Sequence, residues 1–189
     1  MRPYEARPRA VARRPGAKPT FSNLFRLAER SAVHLEMRDA YMQSDPSYQA
    51  WRAGERNRVE DNDPAARAWL RLMAETTGRG VRVRRARICS VPESDYIRFE
   101  HHVTDANVRA GEEVRWLPRR YASDLMVPGN DFWVFDDRLV VFLHFSGDGE
   151  LSPEGDEERT TDAALVSMCS TAFEAVWARA LPHGKHKLS

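Results

Sequence analysis

The chain has only two cysteines, Cys89 and Cys169, and neither has a third cysteine or a paired histidine nearby. That leaves no disulfide framework and no zinc-type ligand spacing, and both thiols are expected to be reduced core residues. No apolar run approaches the roughly 20 residues needed to cross a bilayer. The basic N-terminus lacks the apolar stretch of a secretory signal, so the expectation is a cytoplasmic protein without a membrane partner. A phosphate-binding P-loop, a complete calcium loop, a helix-turn-helix and an internal repeat are also missing, and no motif calls for a metal or a cofactor.

What is present is ordinary globular material. Of 189 residues, 30% are charged and 42% hydrophobic, which fits one domain burying roughly 70% of its unfolded surface. The net charge of +1 hides an asymmetry: residues 1–19 carry Arg2, Arg7, Arg9, Arg13, Arg14 and Lys18 against Glu5, leaving a net −4 for the rest. With four prolines and almost no large apolar residues, 1–19 reads as a disordered basic arm. Residues 20–184 read as one globular domain and 185–189 as a tail.

Periodicity then assigns the elements. Phe21, Leu24, Phe25 and Leu27 recur at helical spacing, and Val33 to Arg38 alternates as a strand. Asp45-Pro46 and Asp63-Pro64 are helix starts, the first ending at Gly54 and the second near Gly78 and Gly80. Residues 55–63 between them are polar and charged. Residues 80–90 form a strand in which Val81 and Val83 have the opposite parity to Ala86 and Ile88. Either Arg85 points inward or a bulge near Arg84 and Arg85 resets the register, and the bulge is the favoured reading. Ser94 caps a helix running towards Asn107, and Glu113 to Leu117 is a short strand followed by a loop or short helix at Arg119-Arg120. Phe132–Phe135 and Leu139–Phe145 flank Asp136-Asp137-Arg138 as a hairpin. Residues 148–162, with seven carboxylates, read as a loop, and Leu165 to Ala180 traces the last helix. Strands alternating with helices, plus one hairpin, predict an α/β or α+β domain with a mixed sheet and flanking helices.

His144, Asp136 and Asp148 are the acid–base candidates, but catalysis needs such groups to converge. Asp136 and Asp137 belong to the turn, roughly 20 Å along an extended strand from His144. Turn chemistry explains both aspartates, which tolerate the backbone angles required. His101 and His102 project about 100° apart on their helix and do not easily share a metal. The arginines are the remaining signal. Arg82, Arg84, Arg85, Arg87, Arg98, Arg115, Arg119 and Arg120 would form a cleft for a small anionic ligand if their faces align, since guanidinium binds phosphate or carboxylate in two-pronged fashion. Pairing with local acids such as Glu93, Glu100, Glu112 and Glu113 competes with that role.

The runs FSNLFRLAERSAVHLEMRDAY, GVRVRRARICSVPESDYIRFEH, GEEVRWLPRR, GNDFWVFDDRLVVFLHFSGDG and AFEAVWARALPH resemble an uncharacterised actinobacterial family known only as a domain of unknown function. That resemblance implies a regulatory setting beside helix-turn-helix regulators. The hairpin and the strands before it also look like half of a phospholipase D-like fold, whose reagents lie in H-x-K-x4-D. With Asp136 as the aspartate, Gly129 and Asp131 occupy the histidine and lysine positions; with Asp137, Asn130 and Phe132 do. The resemblance therefore implies the outline of an active-site strand without its nucleophile.

The expected function is a non-catalytic domain of a bacterial regulatory system that binds a protein partner, such as a DNA-binding regulator, or a small anionic ligand. The alternatives are a phosphodiesterase- or esterase-type hydrolase using His144 or His34 with carboxylates, and nucleic-acid binding through residues 1–19. The last ranks below the first because the folded body is acidic.

Overall fold

The computed structural model describes residues 19–56 and 63–189. Most of the expected basic arm, and most of the polar stretch between the first two Asp-Pro helices, lie outside these residues. The elements in chain order are α1 (Phe21–Leu27), β1 (Ser31–Glu36), α2 (Pro46–Arg52), α3 (Pro64–Gly78), β2 (Arg82–Cys89), α4 (Asp95–Arg109), β3 (Glu113–Pro118), β4 (Phe132–Phe135), β5 (Leu139–Leu143), β6 (Glu157–Thr160), α5 (Ala163–Arg179) and β7 (Leu181–Pro182). Single 3-10 turns lie at Arg119–Ala122 and His183–Lys185. The strands form one mixed sheet in the order β6-β5-β4-β1-β2-β3-β7. β1, β2 and β3 are parallel neighbours, and the remaining pairs are antiparallel.

Helices cover both faces, as a sheet with parallel central strands requires. On one face α5 packs alone: Val166, Cys169, Phe173, Val176 and Trp177 meet Val33, Leu35, Ala86, Ile88, Leu117, Val134 and Val140 in a wholly apolar cluster. On the other, α1 and α3 cover Ala32, Val81, Val83, Trp133 and Val141, while α4 brings Ile97 onto Cys89, Val114 and Trp116. Both cysteines are buried free thiols, each pushed up to about 11 chiefly by burial. A close approach joins α3 to the end of α4. Gly111 sits at φ +96°, where a Cβ would lie 2.5 Å from the Thr77 hydroxyl oxygen, and that hydroxyl donates to the Ala110 carbonyl at 3.0 Å.

Local signals placed the helices as expected. Asp45 accepts from the amides of Ser47 and Tyr48, Asp63 from Ala65, and Ser94 from Ile97. The hairpin turn has Asp136 and Asp137 at φ 53° and 54° and closes with the Arg138 amide on the Phe135 carbonyl at 3.0 Å, the primed geometry that suits strand twist.

Three expectations are corrected. First, β2 has no bulge: Arg82 to Arg87 pair without interruption with Ser31 to Glu36, and Arg84 to Cys89 with Glu113 to Pro118. Arg85 points inward because carboxylates await it there. Second, residues 148–162 are not all loop. Glu157–Thr160 is the edge strand β6, paired with β5, and a charged, poorly apolar edge discourages pairing with other chains. Third, residues 185–189 lie against the body: His186 is buried, and the Ser189 amide and hydroxyl both donate to Glu93, at 3.0 and 2.6 Å.

Candidate functional site

The second face of β1 and β2 carries His34, Glu36, Arg85 and Arg87, in register on neighbouring strands. They fill the space over the sheet between α3 and α4. Arg85 donates to Glu36 at 2.5 Å and, through Nε, to Glu112 at 2.7 Å. Arg87 pairs with the other Glu36 oxygen and with Glu100, and donates to the Thr104 hydroxyl at 2.9 Å. Asn107 takes the second Glu112 oxygen at 2.7 Å, and the Tyr96 hydroxyl donates to Glu100 at 2.9 Å. Aromatic rings line the guanidiniums, with Trp133 and Trp69 near Arg85 and Trp116 near Arg87.

His34 closes the row. Its ring stacks on Trp133, with centroids 4.2 Å apart. Its Nδ1 lies 2.8 Å from the Phe132 carbonyl and its Nε2 3.0 Å from Glu36, so both ring nitrogens face acceptors. Nearby, the Tyr41 hydroxyl donates to Asp131, whose other oxygen accepts from the Met37 amide at 2.9 Å.

The electrostatics follow from burial and pairing. Burial alone would raise Glu36, but Arg85, Arg87 and His34 outweigh it and hold the carboxyl well below the usual range. For Arg85 and Arg87 burial opposes the charge, yet the facing glutamates win and raise both. Asp131 has no guanidinium. Burial raises its carboxyl despite the bond from Tyr41, and burial with Asp131 raises the Tyr41 phenol well above its ordinary value.

The arginines singled out in the sequence do not line one cleft. Arg84 lies on the α5 face, bound to Glu174 at 2.6 Å and over the Phe173 ring. Arg82 pairs with Glu113, and Arg115 donates to the Trp177 carbonyl at 3.0 Å. Arg98 donates to the Ser189 main-chain oxygen at 2.7 Å. Arg119 bridges Asp39, Ser90 and the Met37 and Ile88 carbonyls at the carboxyl ends of the parallel strands, where open α/β sheets commonly bind ligands. Arg120 is exposed and lies over the Tyr121 ring.

The acid–base candidates also stay apart. Asp136 is buried and accepts from the amides of Glu29, Arg30 and Ser31 at 2.8–2.9 Å. These bonds lower its carboxyl although burial opposes them; its work is to fix the chain entering β1. His144 lies beyond the other end of β5, half-buried, 3.7 Å from Glu158. Asp148 is bonded to Ser146 in an exposed turn. Among the described residues no three His, Cys, Asp or Glu side chains are placed to hold a metal, and no helix is long and apolar enough to cross a membrane.

Sequence reasoning missed Glu36 and Tyr41. Glu36 alternates with Val33, Leu35 and Met37 as an outward residue would, and the available clue was its parity match with Arg85 and Arg87 on the next strand. Also missed was an apolar patch beside the β3–β7 edge. Tyr121 is 53% exposed and Leu181 47%. A groove of about 590 Å³ lies there, lined by Leu117, Pro118, Arg120, Tyr121, Asp124, Arg179 and Leu181.

No curated protein matches this sequence. Among solved structures the chain is similar to NUC, a phospholipase D family member from Salmonella typhimurium, with TM-score 0.47, 10% identity, and coverage of 85% of this chain and 86% of that one. It is also similar to TrmBL2, an archaeal chromatin protein with a novel mode of DNA binding, with TM-score 0.43 and 14% identity; 84% of this chain aligns with 47% of that one. The match that spans the domain is to a family model. Residues 19–187, from the start of the described fold through the buried His186, match the domain of unknown function DUF6879, and the chain belongs to that family.

Proposed function

We propose that this domain is a non-catalytic interaction module of a bacterial regulatory system, and that it binds a protein partner at the β3–β7 edge. The observation that carries this reading is where the charges go. The guanidiniums of Arg82, Arg84, Arg85, Arg87 and Arg119 have carboxylate partners within the domain, so a small anion would have to displace a built-in one. Arg120 instead stands in the open on the groove it lines with the exposed Tyr121 and Leu181. Aromatic and arginine side chains are among the residues enriched in protein interfaces. The matching partner is a segment with an aliphatic or aromatic anchor for the groove and a carboxylate for Arg120.

The missing reagents support the non-catalytic part. Asp131, at the position the phospholipase D motif gives to lysine, is committed to Tyr41 and the Met37 amide, and Gly129 at the histidine position offers no nucleophile.

The test is affinity capture from lysate of the source organism with three baits: wild type, Arg120→Glu/Tyr121→Asp, and tag alone. The expected result is a protein retained by wild type and lost with the double variant, which should remain folded because both side chains are exposed. Equal retention by wild type and variant would remove this surface from consideration. Turnover of a phosphodiester or ester by the purified protein, abolished by His144→Ala, would favour the hydrolase instead. Binding of nucleic acid that is lost on deleting residues 1–19, with flattened salt dependence, would favour the basic arm.

A further inference from the structure

Three of the six histidines, distant from the Glu36 network in role, gather at the end of the chain. His101 comes from α4, and His183 and His186 from the segment after β7. The His101 ring centroid lies 4.5 Å from that of His183 and 5.8 Å from that of His186. The His186 ring lies parallel to Trp116, 5.4 Å away at 8°. His183 and His186 are only 8% and 5% exposed.

The hydrogen bonds make this cluster fit neutral rings. Trp116 donates its indole N–H to His183 Nδ1 at 3.1 Å, so that nitrogen must be unprotonated, and Nε2 faces Asp105 at 3.0 Å. The His101 ring is bonded to the His186 main chain, while its Nε2 is buried with no partner. His186 Nε2 is likewise buried and unpartnered, with Glu93 at 3.8 Å, beyond hydrogen-bonding distance. A proton added to His101 Nε2 would be a buried charge with no acceptor, and one on His186 Nε2 would face only Glu93, 3.8 Å away, both lying beside other imidazoles.

The turn before α4 contributes Glu93, and α4 contributes Asp105 and Arg98, the latter 3.9 Å from Glu93. From β2, Arg87 lies 4.9 Å from the Trp116 ring centroid, and the buried Cys89 belongs to the Trp116 cluster. The closing segment itself brings the exposed Lys185 and Lys187. Burial lowers His101, and His183 and His186 as neighbouring imidazoles lower it further, against the His186 main-chain bond and Asp105, which oppose them. For His186 burial also dominates, with Glu93 opposing and His183 adding to it.

We propose that residues 181–189 form an acid-released latch, held shut over Trp116 by neutral His101, His183 and His186 and opened when His101 and His186 take up protons. The closed segment is held to the body by the two residues of β7 paired with β3, by Trp116 and Asp105 on His183, by Ser189 on Glu93 and by Arg98 on the Ser189 main-chain oxygen. The sign follows from linkage. The open state binds protons at the ordinary histidine value of about 6.5 and the closed state binds them less well, so closure is complete above that value and is lost as pH falls below it. With two protons linked, the opening constant rises by up to about 100-fold per pH unit at the limit. Opening would uncover Trp116 and the β3 edge.

Hydrogen–deuterium exchange of the whole chain at pH 7.5 and 5.5, corrected for intrinsic rates, tests this. Residues 181–189 should lose at least about tenfold of their protection at pH 5.5, while β1 (31–36) keeps its own. The double variant His101→Gln/His186→Phe, which keeps a ring on Trp116 but removes both titrating groups, should exchange equally at both pH values. Equal wild-type protection at both pH values, a simultaneous loss at 31–36, or a variant that still opens in acid would overturn the latch. If the variant is already open at pH 7.5, the wild-type imidazole C–H resonances decide. Apparent pKa values of His101 and His186 below the ordinary histidine value support the latch, and values at or above it reject it.

Discussion

The two faces of this one sheet solve the same burial problem differently. Under α5 the strands present Val, Leu, Ile and Phe to an apolar core, with the Arg84 and Arg115 guanidiniums lying over the Phe173 and Trp177 rings of α5. Under α3 and α4 the same strands present His34, Glu36, Arg85 and Arg87, and the gap is closed by guanidinium–carboxylate pairs. The apolar face rests on area removed from water, about 25 cal/mol per Å², and tolerates local repacking. The charged face depends on its partners: removing one member leaves a buried charge short of a counter-charge.

The largest test of that contrast removes one group from each face. Glu36→Ala should cost on the order of 3–5 kcal/mol by removing the buried carboxylate that Arg85 and Arg87 share, leaving each with one glutamate, Glu112 and Glu100. Phe173→Ala should cost a similar amount, about 3–5 kcal/mol, through a cavity. Urea unfolding at several pH values separates the two. Glu36 is depressed, so its contribution is complete above the unfolded carboxyl value of about 4.3 and is lost as pH falls through the folded one. The loss in Glu36→Ala should therefore shrink in acid, whereas the loss in Phe173→Ala should not follow that titration. Equal pH profiles would mean the charged face is not the stabilising unit described here.

A smaller effect is expected at Asp131, whose carboxyl is raised, so the sign reverses. As pH rises above about 3.9 the unfolded chain ionises first and stability falls. Asp131→Asn should gain on wild type between pH 4 and 7 in the same urea series, and a constant difference would count against the burial argument. Smallest is Glu174→Ala. Its pair with Arg84 has an exposed carboxylate, so the cost should be within about 1 kcal/mol and should fall in high salt.

Much of the architecture was legible. Asp-Pro and Ser caps, the alternation of β1, the Asp-Asp turn and the stripe of α5 are local or periodic signals, and such signals survive without knowledge of neighbours. β6 was not legible, because Glu157 to Thr160 has no apolar alternation and becomes a strand only through the edge of β5. The register of β2 failed for a related reason. Inward-facing arginines look like an error until Glu36, Glu100 and Glu112, all distant in sequence, are in place. The end of the chain read as a tail because His186 and Ser189 gain their meaning from Trp116 and Glu93.

The sequence by itself determined that this is an α/β domain with a mixed sheet, where its helices begin, and that its hairpin turns on two aspartates. Only the tertiary structure decided which arginines are spent inside and which stand in solvent, and that three histidines meet. Charge pairing acts through space over a few ångströms, and the partners here come from different strands and helices. Spacing along the chain therefore carries the elements but not their electrostatics.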